Sequence, residues 1–168
     1  MTREMLLAIM IAIVLALIAL AVWAWLRRTR RDAGLPAPYA ELPPDTEVLS
    51  MWDALYVATT RHDQPLERLA MRGLGFRSRV GISVTTAGVA LDLTGQARML
   101  IPRDRIQSVG LATVAIDRVV ERDGLVKLAW RPDDSTVVDT YLRAQTGSSR
   151  SLADAIGIIL TPSTGTDA

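Results

Sequence analysis

His62 is the only histidine in a chain of 168 residues, and cysteine is absent. Proton transfer near neutral pH and soft-metal ligation lean on these two residue types. Without cysteine there are no disulfides, thiolate metal sites or Cys nucleophiles. His62 lies in the polar run Arg61-His62-Asp63-Gln64-Pro65. A metal site needs several convergent ligands, and a nucleophilic triad needs a His and an orienting acid beside a serine. Neighbours on one turn do not supply that geometry, so His62 reads as a surface residue. Carboxylates are scattered singly, apart from Asp133-Asp134, which reads as a solvated loop. Gly73-Leu74-Gly75 is a fragment of a phosphate-cradling pattern, but it lacks the third glycine and the strand-before, helix-after context. It reads as a turn. The expectation is no catalytic residue, no metal and no cofactor: an interaction protein rather than an enzyme.

Arginine offers more. Arg72, Arg77 and Arg79 cluster in sequence, and Arg103 and Arg105 are expected to join them. Guanidinium groups suit phosphate and carboxylate. The cluster is therefore a candidate for binding anionic groups, on lipid headgroups or on a partner's acidic tail. A solvated β-surface is the competing reading. The formal charge of +1 hides an asymmetry, because 14 of 19 basic but 17 of 18 acidic residues lie beyond residue 31. A free-standing nucleic-acid binder is strongly basic, so nucleic acid is not an expected partner. Lys127 is the only lysine. That bias toward arginine, with abundant Ala and Val, points to a GC-rich bacterial genome.

The element that must position everything else is Leu6–Leu26, 21 residues without a charge, a Gly or a Pro. As a helix it spans roughly 30 Å, the hydrocarbon thickness of a bilayer. Trp23 and Trp25 sit where interfacial aromatics belong, and Arg27, Arg28, Arg30 and Arg31 follow. The positive-inside rule puts the N-terminus outside and the rest in the cytoplasm, as a single-pass protein of the plasma (inner) membrane. A cleaved signal peptide would carry its positive charge before the apolar run, not after it. Ala8, Ala12 and Ala16 recur every fourth residue, a face through which two such helices could self-associate. Residues 1–31 are thus an anchor with a juxtamembrane Arg cluster. Residues 32–50, with Pro36, Pro38, Pro43 and Pro44, read as an extended spacer.

From Trp52 the pattern turns strand-like. Leu55–Thr60 is rich in β-formers and ends at the polar turn holding His62. Leu66, Leu69 and Ala70 space as one face of a short helix, stopped near Gly73. Val80, Ile82 and Val84 alternate, then Val89, Leu91 and Leu93, then Ala97, Met99 and Ile101, with turns at Ala87-Gly88 and Gly95-Gln96. This is an antiparallel meander. Val109–Ala115 is a further strand. Ile116–Glu121 and Leu125–Trp130 flank Asp123-Gly124 as a hairpin, and Thr136–Leu142 adds one more strand. Ser151 resembles a helix cap, with Leu152, Ile156, Ile159 and Leu160 on one face. Trp52 and Trp130 read as packing residues. About seven strands and a closing helix make a small barrel or sandwich. Residues 161–168 read as a disordered tail.

LYVATT at 55–60, PLERLA at 65–70, RGLGFR at 72–77, Ile101-Pro102, Ile116-Asp117-Arg118 and Tyr141-Leu142-Arg143 resemble the bacterial pleckstrin-homology-like (PH-like) domains of small single-pass actinobacterial membrane proteins. The resemblance covers most of the chain, residues 50–145 above all. It implies two nearly orthogonal antiparallel sheets capped by a C-terminal helix, which places a PH-like domain over 51–160. It brings no catalytic residues. Eukaryotic PH domains often hold phosphoinositides with basic residues around the first hairpin. Arg61 and Arg68 lie near that connection, but Asp63 and Glu67 dilute them, so phosphoinositide recognition is not implied. The functional expectation is a membrane-anchored module on the cytoplasmic face binding a protein or peptide partner. The alternative is a reader of anionic lipid headgroups.

Overall fold

The computed structural model describes residues 3–32, 34–38, 42–115, 118–119 and 123–160, with backbone alone at 28–32 and 118–119. The chain divides into two units, residues 1–34 and 35–168. The first is helix α1, Arg3–Asp32. Its segment Arg3–Arg27 is long and apolar enough to cross a membrane. Apolar side chains stand exposed all around it, Trp25 by 64%, as a helix surrounded by lipid requires. The Arg27 guanidinium lies 5.5 Å from the Trp23 ring centroid, within cation–π range. The side chains of Arg28, Arg30 and Arg31 lie outside the described residues.

The second unit is built on β1, the 14 residues Val48–Arg61. With β2 (Gln64–Arg68), β3 (Ser78–Thr85), β4 (Gly88–Leu93) and β5 (Met99–Pro102) it makes the first half of an antiparallel sheet. A 3-10 turn at Arg103–Arg105 leads into β6, Ile106–Ala112. The short strands β7 (Val114–Ala115) and β8 (Arg118–Val119) pair with each other apart from the main sheet. Then come β9 (Leu125–Trp130), β10 (Val138–Ala144) and helix α2 (Ser149–Leu160). The spatial order is β5-β4-β3-β1-β10-β9-β6, with β2 beside β1.

β1 belongs to both halves of this sheet. Its first part pairs with β3, from Val48↔Thr85 to Tyr56↔Ser78. Its last part pairs with β10, from Ala54↔Ala144 to Arg61↔Val138, with a register shift between Tyr56 and Ala58. Such a bulge bends a strand and increases its twist, so one long strand can serve two differently directed halves. Between them Tyr56, Val80, Ile82, Leu91, Ile101, Leu128, Trp130 and Leu142 form the core. Helix α2 closes that core with Leu152, Ala153, Ile156 and Ile159 buried. The three larger of these contribute roughly 1.5–3 kcal/mol each. The expected architecture, an apolar N-terminal helix followed by an antiparallel β-domain capped by a C-terminal helix, is the one observed.

Several local expectations are corrected. Residues 64–70 are not helical: Gln64–Arg68 is β2, folded back on β1 through the two-residue loop His62-Asp63. β3 leaves β1 at Tyr56, so the last backbone groups of β1 need other partners. The returning chain supplies one, Leu69 N–H donating to Thr59 O at 2.8 Å. That backbone demand outweighs a weak three-residue periodicity. The segment before β1 is not a free spacer either. Leu35 packs against the core, and Pro38 O accepts from Leu100 N–H at 2.8 Å on the outer edge of β5. β8 pairs with β7, not across Asp123-Gly124 with β9; 116–117 and 120–122 lie outside the described residues, as does the tail 161–168. The cap of α2 is Ser148, whose Oγ accepts from Ser151 N–H at 3.1 Å. Ser148→Ala is therefore expected to cost about 1 kcal/mol in thermal unfolding. Ser151→Ala should cost less, and the reverse ranking would refute this assignment.

Candidate functional site

Three surfaces bring polar or unpaired groups together. The first surrounds the β1–β2 turn. Asp63 adopts φ 56°, a left-handed conformation that Asp tolerates in tight loops. The turn sits over Asp139 of β10, whose side chain is 0% exposed. One Asp139 oxygen meets His62 Nδ1 at 2.8 Å, and the other accepts from Asp63 N–H at 3.0 Å. Lys127 of β9 places Nζ 3.1 Å from Asp63 Oδ1 and 3.5 Å from Asp139 Oδ2. The hydrogen bond from Lys127 and its charge, with a contribution from His62, hold the Asp63 carboxyl below its ordinary value. Burial works to lower the Lys127 pKa, but the Asp63 hydrogen bond and the two carboxylate charges outweigh it and raise it.

The ligand atoms of His62, Asp63 and Asp139 lie within 4.8 Å of one another, a spacing that suits a cation. The Lys127 ammonium already lies against both carboxylates, so the cluster carries its own cation. His62 Nε2 faces Asp63 Oδ2 at 3.4 Å, so both imidazole nitrogens are turned toward acids and neither toward a nucleophile. The arrangement is a brace tying the β1–β2 turn to β9 and β10. Sequence reading placed His62 on an exposed turn, where it is. It missed Asp139, 77 residues away. The available signal was an acid inside the apolar run Val137-Val138-Asp139-Thr140-Tyr141-Leu142, which a central strand tolerates only when the acid is paired.

Beneath the turn, Tyr56 donates to Leu74 O at 2.6 Å, and Thr59 and Thr140 share a hydroxyl bond of 2.9 Å. Trp130 Nε1 donates to Thr140 Oγ1 at 2.8 Å. Burial pushes the Tyr56 hydroxyl up to about 12, against smaller opposing effects from Thr59 and Arg68. The fold therefore prefers neutral Tyr56. Its contribution is complete below the ordinary value of 10, then declines as pH rises toward 12. Burial and the Asp139 charge raise Tyr141 as well, so alkaline titration followed by near-ultraviolet absorbance is read for the phase near 12, which Tyr56→Phe should abolish. Persistence of the late phase in the variant would exclude Tyr56 as its source.

The second surface is the arginine group. Arg72, Arg77 and Arg79 are exposed, and no ion pair involves them among the described residues. Arg77 and Arg79 flank the start of β3. Arg79 lines a groove of about 440 Å³ with Asp53, Gly81 and Asp92. Arg103 and Arg105 do not join them. Arg103 N–H bonds to Ala87 O at 2.9 Å, at the opposite end of the β3–β4 hairpin from Arg79. Arg105 is paired with Asp134 at 2.8 Å. The Asp133-Asp134 loop is likewise structural. Asp133 accepts from Ser135 and Thr136 N–H at 2.8 and 2.7 Å, and those bonds hold its carboxyl below the ordinary value.

The third surface is the far edge of the sheet. β6 pairs with β9 on one side, Val109↔Leu128 through Ala112↔Leu125. Its other side has no backbone partner among the described residues. Helix α2 runs alongside: a Cβ on Gly157 would stand 3.9 Å from Val109 Cγ1. Where β6 begins and α2 ends, a cavity of about 390 Å³ is lined by Ala87, Arg103, Asp104, Ile106, Gln107 and Leu160. Alternate residues of an edge strand point N–H and C=O outward.

A family model described as "Bacterial PH domain-like" matches residues 33–155. A solved structure, the C-terminal domain of an unknown protein from Leishmania infantum, aligns at 10% identity over 69% of this chain and 86% of that one, with a TM-score of 0.45. No curated protein matches the chain. With the family model covering nearly the whole β-domain, the chain belongs to the bacterial PH domain-like family.

Proposed function

We propose that this protein is a single-pass, membrane-anchored PH-like interaction module on the cytoplasmic face, and that it binds a protein or peptide by adding a strand to β6 rather than acting as an enzyme. One observation carries this reading: of the two ends of the strand order β5 to β6, one is bonded to the chain's own entry segment and the other has no backbone partner among the described residues. Leu100 of β5 bonds to Pro38 of the chain's own entry segment, whereas the outer side of β6 is unpaired among the described residues. An extended peptide laid along β6 would gain main-chain hydrogen bonds, each contributing about 0.5–1.5 kcal/mol net. The wall of α2 and the cavity at Gln107 and Leu160 would then select side chains. The Arg-rich end of α1 supports the cytoplasmic orientation. The brace around Asp139 has its polar atoms paired with one another, which suits a scaffold.

A photo-crosslinking side chain at Gln107, in the full chain in native membranes, tests the proposal. The expected result is a discrete adduct from Gln107, insensitive to salt, and none from the same group at Asp92 on the outer face of β4. Equal labelling from both positions, or an adduct at Gln107 that vanishes steeply with ionic strength, would contradict strand addition.

A further inference from the structure

We infer that the excursion between β1 and β3 is a membrane-docking patch for an anionic bilayer surface, with Phe76 entering the headgroup layer and Arg72, Arg77 and Arg79 contacting lipid phosphates. Phe76 is the only phenylalanine in the chain and is 87% exposed. The same excursion buries Leu69, Met71 and Leu74 fully and leaves Leu66 71% exposed. It therefore sorts its apolar residues into a set that packs and a set that does not. A large apolar side chain left in water beside fixed charge marks a surface that another phase or molecule covers.

The arginines show the same separation. Arg61, Arg98, Arg105 and Arg150 each meet a carboxylate. Arg72, Arg77 and Arg79 meet none among the described residues. Asp53 and Asp92 share the groove with Arg79, but Asp92 is held through both oxygens by Arg98, at 2.6 and 2.8 Å. Three unpaired guanidinium groups within four residues of one exposed ring along the chain combine phosphate contacts with an apolar wedge, the two ingredients of interfacial binding. Attachment favours lipid over a soluble acidic protein. α1 ends at Asp32 and the β-domain unit begins at Leu35, so a bilayer spanned by α1 is presented to the patch at high effective concentration. The patch lies on a different strand pair from β6, and neither reading depends on the other.

The absence of cysteine allows a unique spin label through Gly75→Cys, where an added Cβ has nothing within 4 Å. The full chain is reconstituted in nanodiscs containing phosphatidylglycerol, and oxygen accessibility reports the depth of the label. A headgroup-depth reading is expected. It should shift to the aqueous value in high salt, in phosphatidylcholine-only discs, in the chain carrying Arg72→Glu, Arg77→Glu and Arg79→Glu, and in Phe76→Ser. A label at Thr86, in the β3–β4 turn at the opposite end of β3 from Arg79, should stay aqueous throughout. An aqueous reading at residue 75 in phosphatidylglycerol discs overturns the proposal. So does a headgroup-depth reading that survives both charge reversal and phosphatidylcholine, because tethering alone would then explain it. Protection of the label only on addition of an acidic peptide would assign the patch to a protein instead. If the charge-reversed chain melts early, the salt and Phe76→Ser arms still decide.

Discussion

Gly88→Ala is expected to unfold the β-domain more severely than any other single methyl addition to a described glycine. Gly88 opens β4 at φ 145°, a backbone conformation that residues with a Cβ rarely adopt. A Cβ there would stand 2.2 Å from Ile101 O, 2.8 Å from Arg103 N and 3.0 Å from Pro102 C. All three are backbone atoms of β5 and the turn after it, so no side chain can swing away. The site is also held by two bonds with Thr85, whose Oγ1 accepts from Gly88 N–H at 3.1 Å and donates to Gly88 O at 2.8 Å. Relieving the clash means separating β4 from β5, at a cost above about 4 kcal/mol. That corresponds to a fall in Tm of about 15 °C or more. Gly110→Ala is the control, because its Cβ would meet nothing within 4 Å and its φ is ordinary. Melting of the full chain in nanodiscs should leave it within about 0.5 kcal/mol of the parent. Near-equal melting of the two variants would show that the β4–β5 approach is looser than described here.

The second large effect is expected at Asp139. Asp139→Ala strips the brace of its buried acceptor. It leaves Lys127 with only the exposed Asp63, and Asp63 N–H with no partner. Leaving a donor without its acceptor costs about 1–3 kcal/mol, and here two donors, Asp63 N–H and the His62 ring, lose the same carboxylate. His62→Ala removes only the half-exposed partner of the same carboxylate and should cost about 1 kcal/mol. The ranking is the test, since a surface histidine beside an incidental acid would reverse or erase it. Acid adds a second readout. Asp63 is held below its ordinary value of 3.8 by Lys127. Its share of the brace is present above that value and lost as pH falls through the lowered one. Loosening of the His62-Asp63 turn should therefore begin only below about pH 4, earlier in Lys127→Met.

The meander β3-β4-β5 was legible because its cues are local. Val80, Ile82, Val84 and Val89, Leu91, Leu93 alternate with period two, and Gly88 and Gly95 mark the turns. α2 was legible for the same reason, apart from its cap, where Ser148 and Ser151 stand in similar contexts and only backbone geometry separates them. β2 was misread because Leu66, Leu69 and Ala70 fit a helix as well as a strand, and Leu66 turns out exposed. The arginine group was half legible. Adjacency in sequence brought Arg72, Arg77 and Arg79 to one stretch, but it wrongly added Arg103 and Arg105, which β5, running back along β4, carries to the other end of β3 and β4.

From its amino acids alone this protein declares an apolar helix with an Arg-rich end, an antiparallel meander, a closing helix and the absence of thiol chemistry. Each of these depends on residues within a turn or two of one another. Tertiary structure alone decided that β1 pairs with β10 across some 80 residues, that Asp139 lies under His62, and that β6 ends the strand order with no backbone partner on its outer side among the described residues. Strand order and buried charge pairing are set by which distant surfaces exclude water together, and no short window of sequence contains both surfaces.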